Sequence, residues 1–525
     1  MQGHLWRARR ALRAEVVDPA GARRVRCGIV RRLLACSLLI AAATAAGTPR
    51  LPAQDSPVGP LARVLAPLFD GRVWRHATWG ALIVSLTRGD TLFAWRADRR
   101  FLPASNAKLF TTAAALHYLG PAFRFVTVLY ASGPVTNGTL YGDLVLYGTG
   151  DPTFGLDTAA LAPFADSVVR AGISRVNGDV VGDASFLGAE LAGPGWTPDN
   201  LDQPYAAPPS ALGAAANRVR VTVEPGERPG EAAAFTVDPP TDYFTVTSAV
   251  RTGRRRARTR IEVRHDRPRG QVTLSGVISP RRWSWSTYLV VEQPAVFAAS
   301  LLKSLLVARG VTVTGSARGV TDGAPARARQ LLARARGQNA EPFEGALAAR
   351  SSPSLGELVT TINHRSDNLS AELVFRSVGR SVGGAGTFAS GARAVEQFLS
   401  DEVGIPAASV AVSDGSGLSI LNEATPRSLV QLLAYERKAS EGRYFWESLP
   451  MAGEGLTERM AETSAAGRLR AKTGTLKDVS ALSGYVTAFG GEELAFSIIV
   501  NDAASIARAR QVQDRIGALL ADFSR

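Results

Sequence analysis

Cysteine is almost missing from this 525-residue chain, and both copies, Cys27 and Cys36, fall before residue 37. Beyond that point no thiol can serve as nucleophile and no internal disulfide can form. Histidine is scarce too. Among His4, His76, His117, His265 and His364 there is no His/Cys cluster of the kind that holds zinc. Only His364 stands near a stretch with catalytic residue types, which leaves a Ser-His-Asp hydrolase short of its base. No apolar run reaches the ~20 residues needed to cross a bilayer comfortably. Lys472-Thr473-Gly474 lacks the preceding glycine of a phosphate-binding loop.

What the chain has in excess is arginine. The formal charge is +14, but residues 1–54 hold ten arginines against Glu15 and Asp18 alone, a surplus of eight. A second cluster, Arg251, Arg254, Arg255, Arg256, Arg258, Arg260, Arg264, Arg267 and Arg269, alternates with strand-forming residues, as in Arg260-Ile261-Glu262-Val263. That pattern reads as a solvated strand face or loop. Peripheral contact with an anionic envelope surface is the sharper reading, and nucleic acid is not expected. With 46% hydrophobic and 20% charged residues the composition is otherwise that of a globular protein.

Arg31-Arg32 followed by the apolar stretch 33–46, rich in Leu and Ala, has the form of a secretory signal. Residues 1–54 are therefore expected to be a leader, and the exported form periplasmic or extracytoplasmic, soluble or peripherally attached. Its mature part would contain no cysteine.

The Ala-rich stretch from Pro103 to Leu116 has helical character and should end at Gly120-Pro121. It places Ser105 and Lys108 three apart on one face, so a hydroxyl meets an amine that could act as its base. Alone, Ser-x-x-Lys recurs by chance and usually marks a solvated helix face. Two later stretches change its weight: Ser366-Asp367-Asn368 and Lys472-Thr473-Gly474-Thr475. Gly150-Asp151-Pro152 lies between the first and second of these three motifs, and Asp414-Gly415-Ser416-Gly417-Leu418-Ser419 between the second and third.

Along the chain, 81–86 and 91–95 read as a hairpin, and 121–345 as short strands with Gly/Pro punctuation and one helix near 295–309. Ser354–Arg376 reads as one helix. Further helices are expected at 388–400, 426–437 and 503–522, with strands at 468–475, 481–488 and 493–500. Successive antiparallel strands packed by helices give an α+β class. One discontinuous domain, 55–120 with 346–525, would carry 121–345 as one or two inserted strand-rich domains.

The order of these motifs resembles the D-alanyl-D-alanine carboxypeptidase/endopeptidase family, the class C low-molecular-mass penicillin-binding proteins. Gly193-Pro194-Gly195-Trp196 and the segment Tyr205–Leu212 also look like stretches of that family. The resemblance covers roughly 60–522. It implies a serine β-lactamase/transpeptidase-like domain interrupted by a large insertion, acting on peptidoglycan stem peptides and acylated by β-lactams. Ile420, where a basic residue is expected after Gly-Leu-Ser, and His364-Arg365 ahead of Ser366, where lysine is commoner, depart from the pattern. A β-lactamase shares the three motifs, but there the first two lie far closer than the 258 positions that separate Lys108 from Ser366. A catalytically silent peptidoglycan-binding protein is the other alternative.

The chemistry also stands on the residues themselves. Serine needs a neutral base, and both burial and a second cation, Lys472, would depress Lys108. Ser366 can relay a proton to a leaving amine, and Asn368 can bond Lys108 or a substrate amide. Lys472 and Thr473 offer a charge and a hydroxyl to a substrate carboxylate. Gly474 lets the strand edge come close to a substrate backbone, and the N–H groups of Ser105 and Thr475 would form an oxyanion hole. No metal or organic cofactor is called for.

Overall fold

Both strands of the hairpin Thr78–Ser85/Thr91–Trp95 are continuous apolar runs, Ala81-Leu82-Ile83-Val84 and Leu92-Phe93-Ala94-Trp95, so both of its faces must be covered. In a computed structural model, which describes residues 60–71, 74–154, 158–266, 269–322, 345–454 and 458–525, they are. The expected leader, with its apolar run, lies outside the described residues, as does most of the low-pattern segment 321–350.

The hairpin forms one side of a five-stranded antiparallel sheet in the order Thr91–Trp95, Thr78–Ser85, Glu493–Asn501, Val479–Thr487, Leu469–Leu476. Side chains alternate with period two. Ala81, Ile83, Phe496 and Ile498 face a core shared with helices Pro60–Phe69 and Ile506–Ala521. Leu82, Val84, Ala495 and Ile499 face the larger core. The helix Ala107–Leu119 occupies that larger core. It is buried on nearly every side, which is why it shows little amphipathic pattern.

One helix was expected over 354–376, but the structure has two, Leu355–Arg365 and Asn368–Gly383. Ser366 adopts a left-handed conformation (φ 53°, ψ 36°) that ends the first, and the Asp367 side chain caps the second by accepting the Ser370 N–H at 2.7 Å. The break lets Ser366 meet Lys472 on the sheet while Asn368 meets Lys108 on the helix Ala107–Leu119. The helices Phe388–Asp401 and Pro426–Glu436 and the C-terminal helix fall within a few residues of their expected spans.

Between the two parts of this unit, the chain builds a mixed five-stranded sheet and smaller sheets. The mixed sheet runs Ala317–Val320, Val180–Asp183, Leu144–Gly148, Val126–Ala131, Ala346–Ser351, with helix Pro294–Ala308 against it. Two three-stranded sheets follow, one of Ala234–Asp238, Arg218–Glu224 and Trp285–Val290, the other of Thr245–Thr252, Gln271–Ile278 and Arg260–Asp266. In the last strand Arg260, Glu262 and Arg264 are exposed while the residues between them are partly covered. Among the described residues no helix is long and apolar enough to cross a membrane.

Candidate active site

Ser105 sits in a short 3-10 turn, Ala104–Asn106, immediately ahead of helix Ala107–Leu119. Ala104 before it has a positive φ of 48°, a conformation that costs a β-carbon-bearing residue energy and is held by its surroundings. Two glycines let those surroundings close in. A Cβ on Gly417 would lie 1.9 Å from the Ala104 carbonyl oxygen, and one on Gly474 would lie 2.8 Å from that of Pro103 and 3.1 Å from the Ser105 nitrogen. Asn106 pins the turn to the sheet by donating to Ser483 Oγ at 2.7 Å.

Lys108 Nζ donates to Ser105 Oγ at 3.1 Å, to Asn368 Oδ1 at 2.6 Å and to the Ser416 carbonyl at 2.7 Å. The Asn368 Nδ2 donates in turn to the Tyr205 carbonyl at 2.9 Å, so the inserted region touches the site directly. Across the cleft, Lys472 Nζ donates to Ser366 Oγ at 2.9 Å and to the Thr473 carbonyl at 2.8 Å. Lys472, Thr473, Gly474 and Thr475 lie on Leu469–Leu476, the edge strand of the five-stranded sheet. Thr475 is exposed there and its hydroxyl accepts from Arg510 at 2.8 Å. Of the eight residues singled out in the sequence, hydrogen bonds join Ser105, Lys108 and Asn368 in one group and Ser366 with Lys472 in another; Gly474 lies against the Ser105 turn, Thr473 lines a cavity with Ser366, and the Thr475 side chain reaches away to Arg510.

A family model described as the D-Ala-D-Ala carboxypeptidase 3 (S13) family matches residues 64–523. The chain belongs to that family. It is 34% identical over 464 residues to the D-alanyl-D-alanine carboxypeptidase of Actinomadura sp. (strain R39), covering 85% of this chain and 82% of that protein. It is 27% identical over 430 residues to the D-alanyl-D-alanine carboxypeptidase DacB of Haemophilus influenzae, covering 80% and 85%. Among solved structures it resembles penicillin binding protein 4 (dacB) from Haemophilus influenzae, with a TM-score of 0.74 at 24% identity over 88% of this chain and 99% of that one. The same protein complexed with a novel beta-lactam gives 0.69 at 23% identity over the same shares. The fold is therefore the α+β, β-lactamase/transpeptidase-like one with extra strand-rich domains, and by family the chain stands with the D-Ala-D-Ala carboxypeptidases.

Ser105 is half-buried, whereas Lys108 is fully enclosed. Burial brings the Lys108 ammonium down to about 8, against the opposing pull of Glu372, Asp414 and Asp367. Lys472 was expected to help depress Lys108, but the repulsion falls the other way. Lys472 is held well below the usual lysine range, first by its own burial and then by the charge of Lys108.

Several residues of the site were not foreseen. Asn368, Glu372 and Arg376 recur every four positions along one helix face, and each reaches a different segment. Glu372 accepts the Gly415 N–H at 2.8 Å and the Ser416 N–H at 2.9 Å. The buried Arg376 guanidinium donates to the carbonyls of Gly188, Glu190, Pro209 and Gly386. Asp414 gathers the Gly417 and Ser419 N–H groups, the Asn422 amide and the indole N–H of Trp196 at 2.8 Å. A polar stripe at i, i+4 and i+8 among the buried residues of this helix was the available signal. His364 lines a cavity of about 140 Å³ with Ser366 and Thr473, but Ser105 meets Lys108 rather than an imidazole.

Proposed function

We propose that this chain is a serine D,D-carboxypeptidase and D,D-endopeptidase of peptidoglycan stem peptides, working through an acyl-enzyme that β-lactams mimic. The observation that carries the reading is the 3.1 Å contact between Ser105 Oγ and a buried lysine whose amine is depressed to about 8. A base near the working pH with its acceptor within reach is what activation of a serine hydroxyl requires.

In this reading neutral Lys108 takes the Ser105 proton as Oγ attacks the carbonyl of the penultimate D-alanine. The N–H groups of Ser105 and Thr475 receive the developing oxyanion. Ser366, bonded to Lys472, relays the proton to the departing amine, the C–N bond breaks, and D-alanine or the cross-linking amine leaves. Water then attacks the ester and gives its proton to Lys108, the acyl C–Oγ bond breaks, and Lys108 returns the proton to Oγ, which regenerates Ser105 and the neutral amine. Lys472 and Thr473 bind the substrate carboxylate, an anion that favours the charged form of Lys472. Gly474 on the open edge strand admits the substrate backbone alongside it, and Asn368 holds Lys108.

We also read 55–120 with the C-terminal part as one discontinuous peptidase domain carrying an insertion. Support comes from the sheet that joins strands of 78–95 to those of 469–501. Because Ala346–Ser351 pairs with Val126–Ala131, we draw the return crossing near 352 rather than 346. Export by the segment 31–46 belongs to the same proposal, with the exposed Arg260 and Arg264 face available to an anionic envelope surface.

The test is covalent labelling with a fluorescent penicillin, mapped by mass spectrometry, together with D-alanine release from a pentapeptide. Both should be present in wild type and lost in Ser105→Ala. Label on another residue would refute the nucleophile. Rapid loss of the label as hydrolysed penicillin would mark a β-lactamase, and no label at all a silent binding protein.

A further inference from the structure

Glu372 is 1% exposed, touches neither Ser105 nor Lys108 by a hydrogen bond, and has no part in the proton transfers above. A carboxylate in such a place needs a reason, because burying a charge is costly unless it is bonded or paired. Its bonds supply one. The two oxygens accept the successive N–H groups of Gly415 and Ser416, and the Ser416 carbonyl, on the next peptide unit, accepts the Lys108 ammonium at 2.7 Å. Thr111 on the nucleophile helix holds the Gly415 carbonyl at 2.7 Å, so this stretch is fixed from both sides. Glu372 also stands one helical turn beyond Asn368, the other oxygen ligand of Lys108.

Resting on the peptidase reading, we infer that Glu372 is a positioning residue for the base: it fixes the Ser416 carbonyl on Lys108 and supplies the buried negative charge that keeps Lys108 basic enough to receive the serine proton. Burial alone would make the amine neutral but a poor acceptor, since the ammonium it becomes must be stabilised as it forms. Three groups around Lys108 do that: the Asn368 oxygen, the Ser416 carbonyl and the Glu372 charge. The charged neighbours of Glu372 are Lys108, Asp414 on the 414–419 turn and Arg376 on its own helix. Burial and Asp414 push the Glu372 carboxyl up, while the Ser416 and Gly415 N–H groups and Lys108 pull it back, and with both oxygens accepting N–H groups the form that fits these bonds is the carboxylate. The arrangement is that of a base oriented by a third group.

The test is the pH dependence of penicillin acylation in wild type, Glu372→Gln and Glu372→Asp, with thermal unfolding of each as the check on folding. In Glu372→Gln the plateau rate should fall at least about tenfold, the loss expected when a buried charged hydrogen bond is removed. Its rising limb should move to lower pH, because losing the negative charge lowers the pKa of Lys108. Glu372→Asp keeps the charge but withdraws its oxygens, so the limb should stay near the wild-type position while the plateau drops. A limb unmoved in Glu372→Gln would overturn the inference and leave Glu372 a structural residue. If Glu372→Gln does not fold, Glu372→Asp decides, and a wild-type plateau there overturns it. Failure of wild type itself to acylate at Ser105 would instead refute the peptidase reading.

Discussion

Asn368 Oδ1 lies 2.6 Å from Lys108 Nζ, while the other end of the same carboxamide is bonded to the Tyr205 carbonyl. The amide is therefore oriented by the inserted region, with its oxygen toward the lysine. Asn368→Asp should make the acylation limb move to higher pH, because a carboxylate there raises the pKa of Lys108. It should also slow the plateau. A stopped-flow pH series checks both, and a limb shifted downward would contradict the assignment.

Lys472→Ala should leave the acylation limb of the free enzyme close to its wild-type position, since burial and not Lys472 depresses Lys108. Its effect should appear in KM, roughly tenfold or more for peptides ending in a free carboxylate, and be much smaller for an amidated peptide. Steady-state kinetics on the matched pair of peptides separates the two. Equal losses on both would show that Lys472 does not bind the carboxylate.

Trp196→Phe removes the indole N–H that bonds buried Asp414 and keeps most of the packing. Loss of a hydrogen bond to a buried charge costs roughly 1.5–3 kcal/mol. Denaturant unfolding should show a loss of that order, accompanied by slower acylation because the 414–419 turn carries the Ser416 carbonyl. Unchanged stability would mean that the inserted region is fastened elsewhere, with Arg376 the obvious anchor.

Burial alone pushes the Glu436 carboxyl up to about 8, at the end of the helix Pro426–Glu436. The folded state thus holds a proton that the unfolded chain releases near 4.5. The stability associated with it is complete below that unfolded value and is lost as pH rises to about 8. Glu436→Gln should abolish this fall, so the change in unfolding free energy across the window should be smaller in the variant than in wild type by roughly 5 kcal/mol. Parallel wild-type and variant curves would show that Glu436 is ionised in the folded protein.

Much of this was legible in local sequence. Ser105 and Lys108 meet because three positions make one helix face, and the Lys472–Thr475 strand was marked by its alternation and flanking turns. The kink at Ser366 was not legible, because Ser-Asp-Asn sits inside a stretch whose apolar residues keep helical spacing on both sides. A left-handed serine is chosen there by what it must reach. Glu372 was beyond reach, and Asp414, Trp196 and Tyr205 were marked as stretches of the resemblance without their contacts, for a related reason: each acts on a partner far away in the chain, and only the packed fold brings the two together. Nor could the direction of the Lys108–Lys472 interaction be read from two lysines. It follows from which of them is the more completely disfavoured as a cation in place.

The central claim is that Lys108 is the base for Ser105, and the rate of penicillin acylation as a function of pH tests it most directly. Wild type should show a rising limb at about 8, where burial sets the lysine, and Lys108→Ala should lose the fast reaction and the limb together. A wild-type limb close to the ~10.4 of free lysine, or near-wild-type acylation in a folded Lys108→Ala, would contradict the account.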